Sequence, residues 1–201
     1  MTDVLPATPA GIAAAAAILR DGGLVAFPTD TVYGVACTAA RPDRIEALFE
    51  LKRRPTDRRI PMLLADLDTI PESWAVDDRA RALAASFWPG ALTMVLAATD
   101  GGGTQAFRVP DHAVARELIL ASGPLLTTSA NVSDEPETLD ADDVLIAFAT
   151  QADLLDAVID GGRAPGGVAS TVLDLSVAPA RLVREGPIGR QQLGELIDLE
   201  G

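Results

Sequence analysis

The chain has 201 residues, 48% of them hydrophobic, with a mean hydropathy of +0.23 and a net charge of −13 at pH 7. That length fits one large domain or two small ones, and the hydrophobic content excludes a disordered chain. The acidity argues against general nucleic-acid affinity, which needs a basic face.

Residues 9–21 predict a helix, with a proline near the start, an alanine-rich body and Gly22-Gly23 as the stop. Asp3 and no cation precede the alanine run, which makes it a poor signal peptide and points to a cytoplasmic protein. Residues 23–27 form an apolar strand. Over 42–52 a second helix places Ile45, Leu48, Phe49 and Lys52 at i, i+3, i+4 and i+7, so Lys52 faces the core side. A short strand is expected at 60–64 and a helix at 77–88. The longest uncharged run, 82–99, touches the length of a membrane span, but Trp88-Pro89-Gly90 breaks it into a helix end, a turn and a buried strand at 91–98. Gly101-Gly102-Gly103 then turns the chain into a strand at 105–109, which predicts a hairpin.

A helix over 110–122 and a buried strand at 125–128 follow. Beyond them come a helix at 140–148, a short strand at 157–159 and a glycine-rich loop at 161–167. Strands at 170–175 and 180–184 and a helix at 189–197 complete the chain. With no repeat and no linker, this alternation predicts one α/β domain with a mixed sheet.

Two stretches carry the strongest polar signal. Val25-Ala26-Phe27-Pro28-Thr29-Asp30-Thr31-Val32-Tyr33-Gly34 is a strand stopped by proline, with small hydroxyls beyond its end, where loops present polar groups to ligands. Residues 52–59 put five cations into eight positions and include the only lysine, Lys52. Screening over roughly 8 Å at physiological salt lets such a local cluster attract anions despite the acidic remainder.

Other constellations read two ways. Thr127, Thr128, Ser129 and Asn131 sit where a strand becomes a loop; they suit either phosphate and ribose oxygens or an ordinary cap. Ser170-Thr171 has the same ambiguity, and the preceding glycine loop lacks the G-K-[ST] ending of a P-loop. Arg108 and Arg184 each end a strand, as rim charges or as converging ligands. His112, the only histidine, reads as a capping or packing residue, and Cys37, the only cysteine, as inert; together they exclude a disulfide, a cysteine zinc site and a multi-histidine metal centre. No Ser-His-Asp or Cys-His set assembles, so an enzyme built this way works through positioned cations and hydroxyls, which suits transfer at a phosphate.

P-T-D-T-V-Y-G at 28–34, K-R-R-P at 52–55, W-P-G-A-L-T at 88–93, R-V-P-D-H at 108–112, T-S-A-N-V-S at 128–133, S-T-V-L-D at 170–174 and L-V-R-E-G at 182–186 occur in that order. Together they resemble the YrdC/TsaC family, the L-threonylcarbamoyladenylate synthases, over residues 10 to 190. The resemblance implies a single α/β domain, a twisted mixed sheet with flanking helices around a deep basic cavity, and a reaction of L-threonine, bicarbonate and ATP, with Mg²⁺, giving threonylcarbamoyl-AMP and pyrophosphate. The product would feed a tRNA-modifying threonylcarbamoyl transferase complex; membrane association is not expected, and direct RNA binding is expected to be weak.

Carried over by position, Thr29 and Arg108 would hold threonine, and Lys52 and Arg54 would contact ATP phosphates and the carbamate. Thr104, Thr127, Ser129, Asn131 and Arg184 would line the nucleotide site, with Ser129 and Ser170 also near threonine. Asp134 stands where the family usually has glycine, and Ala65 where a histidine is often found. Two rival readings are an RNA-binding module on the same concavity and a carbamoyl-adenylate-forming domain of the hydrogenase-maturation type.

Overall fold

A computed structural model describes residues 1–53 and 60–201. The first strand, β1 (Asp3–Pro6), leads into helix α1 (Pro9–Arg20). The Thr8 hydroxyl caps α1 by accepting from the Gly11 amide at 3.3 Å, and Gly22, at a φ of +93°, lets the chain leave. Strand β2 (Val25–Phe27) turns through residues 28–33 into β3 (Gly34–Thr38). A helical turn at Pro42–Arg44 runs into α2 (Ile45–Leu51), followed by β4 (Met62–Leu63) and α3 (Asp78–Phe87).

The expected hairpin is present as β5 (Leu92–Ala97) and β6 (Thr104–Arg108), paired antiparallel from Met94–Phe107 to Ala97–Thr104. Helix α4 (Ala113–Ser122) starts three residues later than expected, because Pro110 holds the residue before it extended and His112 remains extended as well, at a φ of −143°. The chain continues as β7 (Leu125–Ser129), α5 (Ala141–Ala147), β8 (Ala157–Asp160), β9 (Thr171–Asp174), β10 (Arg181–Arg184) and α6 (Arg190–Gly194).

Two strands were not anticipated. β1 is a short, exposed edge strand. β3 is Gly-Val-Ala-Cys-Thr, wholly buried, and a strand covered on both faces shows no polar alternation to betray it.

The described strands form one mixed sheet in the order β1-β8-β2-β3-β7-β4-β6-β5-β9-β10. Helices cover both faces. Leu48 and Leu51 from α2, Val144 from α5 and Phe148 just beyond it pack with Val35, Cys37 and Val158. On the opposite face Ile12, Leu19 and Leu118 from α1 and α4 pack with Phe27, Ala36 and Ile159. Leu83 and Leu193 from α3 and α6 close over Leu92, Met94, Phe107 and Leu173. Burial pushes the Cys37 thiol up to about 11, which keeps it protonated and inert. Among the described residues no helix is long and apolar enough to cross a membrane.

On β5 and β6 the residues between those core positions, Thr93, Val95, Ala106 and Arg108, face the other way and line a cavity with Gly34, Leu63, Thr127, Val172 and Arg184. Seven consecutive strands of the sheet order, β3 to β10, therefore curve around one hollow.

Candidate active site

The hollow has a volume of about 770 Å³, within the usual range for small-ligand sites. Lys52 lies just past the end of α2 and is buried, as its helical phase predicted. Its ammonium donates to the Ser129 carbonyl, to the Asn131 carbonyl at 2.7 Å and to Asn131 Oδ1 at 3.2 Å, with Ser129 Oγ at 3.4 Å. The Lys52 carbonyl accepts from the Ser133 amide at 3.0 Å. Backbone and side chain of one residue thus fix the turn after β7. Asn131 completes that turn by donating from Nδ2 to the Glu135 carbonyl at 2.6 Å. The bonds Asn131 makes are those of an ordinary cap, on residues that also line the cavity.

The turn between β2 and β3 supplies the adjoining wall, joined to the first by the Ala130 amide donating to the Tyr33 carbonyl at 2.8 Å. Thr29 Oγ1 donates to the Val32 carbonyl at 2.7 Å and lies 3.0 Å from Thr31 Oγ1. Arg108, 6% exposed at the end of β6, reaches this turn with all three guanidinium nitrogens engaged. Nε donates to the Gly90 carbonyl at 2.9 Å, Nη1 to Thr31 Oγ1 at 3.0 Å and Nη2 to Asp30 Oδ1 at 2.6 Å. Burial pulls the guanidinium pKa below its ordinary value, and the charge of Asp30 opposes that pull.

The loop at 161–167 straps over the same turn. Tyr33 donates to the Gly162 carbonyl at 2.7 Å and accepts from the Gly161 amide at 3.2 Å, while the Gly167 amide donates to the Thr31 carbonyl at 2.7 Å. A Cβ on Gly166 would lie 2.7 Å from the Asp30 carbonyl oxygen, so only glycine allows this approach.

At the start of β9, Ser170 Oγ sits 2.8 Å from the buried Thr93 hydroxyl. Its carbonyl accepts from Arg184 Nε at 3.0 Å and Nη2 at 2.8 Å. Desolvation lowers the Arg184 pKa, partly offset by Glu137 across the cavity.

Of the residues singled out from sequence, Thr29, Lys52, Arg108, Thr127, Ser129, Asn131, Ser170 and Arg184 line this one cavity. Thr104 starts β6, paired with Ala97, on the strand face that carries the lining residues Ala106 and Arg108, and is not itself part of the described lining. Arg54 lies outside the described residues. The described lining carries three cations, Lys52, Arg108 and Arg184, and three carboxylates, Asp134, Glu135 and Glu137.

Sequence reasoning gave no individual site role to Asp30, Thr31, Thr93 or the tight-packing glycines. Asp30, Thr31 and Thr93 all lie inside motifs already quoted, but their partners are visible only in three dimensions.

A mixed α/β sheet curved around a ligand-sized cavity lined by hydroxyls and buried cations defines a small-molecule-binding enzyme class. The chain belongs to the Sua5/YciO/YrdC family: the family profile, described as "Telomere recombination", matches residues 17–186. It is 36% identical over 208 residues to the threonylcarbamoyl-AMP synthase of Bacillus subtilis, covering 98% of this chain and 59% of that protein. It is 35% identical over 177 residues to the enzyme of the same name from Chromohalobacter salexigens, covering 82% and 92%. The crystal structure of P. abyssi Sua5 complexed with L-threonine superposes with a TM-score of 0.89 at 33% identity, covering all of this chain and 62% of that one. The chain thus spans about three fifths of the length of two of these relatives.

Proposed function

We propose that this chain makes threonylcarbamoyl-AMP from L-threonine, bicarbonate and ATP, releasing pyrophosphate. One observation carries the reading: the hydroxyls and cations named above converge on a single cavity, in a fold shared with a protein solved with L-threonine bound. The relatives named as threonylcarbamoyl-AMP synthases support it further.

In this reading the threonine amine takes up bicarbonate with loss of water to give a carbamate. A carbamate oxygen then attacks the α-phosphate of ATP, forming the new C–O–P link and expelling pyrophosphate. Arg108 holds the amino-acid end. The turn at 129–133, fixed by Lys52, presents Ser129 and Asn131 to the nucleotide, and Arg184 faces the negative charge from the opposite wall. Donors already anchored to main-chain carbonyls need no reorganisation as charge develops, which is the condition under which such groups contribute most to rate.

Mg²⁺ would enter with ATP, held chiefly by phosphate oxygens and neutralising their charge. Among the described residues no three ligating side chains cluster closely enough to hold it on their own. The product, a reactive mixed anhydride, would be consumed by a downstream tRNA-modifying transferase.

The test is pyrophosphate release by the purified protein, with threonine and bicarbonate omitted in turn and the adenylate identified by mass. Loss of release without threonine is expected. Release that is indifferent to threonine would refute the reading.

A further inference from the structure

Counting protons through the turn at 29–32 gives an unexpected result. The Val32 carbonyl can only accept, so the single Thr29 hydroxyl proton is directed at it, at 2.7 Å. Thr29 Oγ1 also accepts from the Thr31 amide at 3.1 Å. The 3.0 Å contact between the two hydroxyls must therefore be donated by Thr31. Arg108 can only donate, so Thr31 Oγ1 in turn accepts from Nη1. The direction of every bond is fixed: Arg108 to Thr31, Thr31 to Thr29, Thr29 to Val32.

Thr29 then has its proton and both lone pairs engaged. It faces the cavity with nothing to donate to a carboxylate. Thr31 has no proton left either, only one lone pair. Among the described side chains of this wall the donors remaining are the two guanidinium N–H bonds of Arg108 not directed at Gly90, Asp30 or Thr31.

We infer that Thr31 and Asp30 are positioning residues that aim the Arg108 guanidinium at the carboxylate of the amino-acid substrate, with Thr29 bracing Thr31 from behind. The identity of that substrate rests on the proposed function; the relay does not. Thr31 sits at its centre, because removing its hydroxyl breaks both the bond from Arg108 and the bond to Thr29.

Two measurements separate the relay from the assignment of substrate. In steady-state turnover, Thr31→Val should raise KM for threonine at least tenfold with KM for ATP unchanged, and Thr31→Ser should restore it. Thr29→Val should raise it less than Thr31→Val. The second measurement needs no activity: ¹⁵N-arginine spectra, with Arg108 assigned through Arg108→Lys. A guanidinium held on three sides shows two resolved Nη signals in the wild type. They should merge or broaden in Thr31→Val, and in Asp30→Asn should Thr31→Val fail to fold, and remain resolved in Thr31→Ser.

Resolved Nη signals in Thr31→Val and in Asp30→Asn would overturn the inference. So would a larger rise in threonine KM for Thr29→Val than for Thr31→Val, since Thr29 would then be the ligand. A wild type without threonine-dependent turnover would remove the proposed function and leave the spectra to decide the relay.

Discussion

Lys52→Arg keeps the charge and should still cripple the protein. The Lys52 ammonium sits among the Ser129 carbonyl, the Asn131 carbonyl and Asn131 Oδ1, three acceptors that one tetrahedral nitrogen meets with its three protons. Each guanidinium terminal nitrogen carries only two N–H bonds, in a plane, on a longer and wider group. At least one acceptor loses its donor in a site where Lys52 is only 3% exposed. A lost hydrogen bond to a charged group costs about 1.5–3 kcal/mol, which for a chain of this size lowers the melting temperature by about 4–8 °C. The wider head also pushes the turn at 129–133 outward on the scale of 1 Å, and misplacement of that order typically costs about 10²-fold in rate. Steady-state pyrophosphate release and a thermal melt of the same preparation measure both effects. Activity within about threefold of wild type together with an unchanged melting temperature would refute the reasoning, because bulk positive charge would then suffice.

His112 is the only histidine, so its titration is unambiguous. Burial, opposed by Asp30 and Asp111, holds its pKa below the ordinary value, and Nδ1 is buried without a hydrogen bond. The unfolded chain therefore binds the proton at higher pH than the folded one. The resulting stability is fully present above pH about 6.5 and declines as pH falls below it. The imidazole NMR midpoint should lie below 6.5, and His112→Gln should flatten the decline; a midpoint at or above 6.5 would contradict this.

Asp134, exposed on the cavity rim, adopts a φ of +67°, a conformation that glycine takes without strain. Asp134→Gly should raise the melting temperature by about 1–2 °C, since about 0.5 kcal/mol is released, and should lower KM for ATP by removing a carboxylate beside the anion; a fall in melting temperature would sink the strain argument. Tyr33→Phe strips the partner from the Gly161 amide and the Gly162 carbonyl, at a cost of about 2 kcal/mol. A melting temperature within 1 °C of wild type, measured by calorimetry with roughly that resolution, would mean that the strap does not depend on this hydroxyl.

The readable parts of the fold were those with a local cause. Helix α1 announces itself through Pro9 and the glycine pair, and the phase of α2 alone turned Lys52 inward. The same locality explains the errors. β3 has small residues buried on both faces, so it carries neither alternation nor a turn signal of its own. The site residues were nominated as side-chain types at element ends, and the cavity collects most of them. Their partners were beyond reach: Asp30 and Arg108 are 78 positions apart, and Lys52 and Ser129 are 77 apart. From sequence alone Arg108 reads equally as a rim charge, as an isolated arginine usually is; what holds it in the interior is a carboxylate and a threonine from another turn.

Each of the three cations is aimed in part by main-chain atoms: Ser129 and Asn131 carbonyls for Lys52, Gly90 for Arg108, Ser170 for Arg184. Side-chain substitution cannot remove a carbonyl, so backbone placement becomes the sensitive variable, and glycines that permit close approach become as important as the polar residues. Gly186 is the clearest case. A Cβ there would stand 2.5 Å from the Ala169 carbonyl oxygen, 2.6 Å from the Thr171 nitrogen and 2.8 Å from the Ser170 carbonyl carbon, whereas ordinary contact begins near 3.4 Å. All three atoms are backbone, so the segment at 169–171 must retreat by about 1 Å, and the carbonyl that holds Arg184 at 3.0 and 2.8 Å retreats with it. Gly186→Ala should therefore resemble a lesion in Arg184 itself, lowering kcat/KM for ATP by about 10²-fold although position 186 adds only a methyl group. Arg184→Lys provides the comparison, and the double variant should be little worse than either single one, because both act through the same guanidinium. Fully additive losses would show that Gly186 serves the fold alone and that the Ser170 carbonyl does not aim the cation.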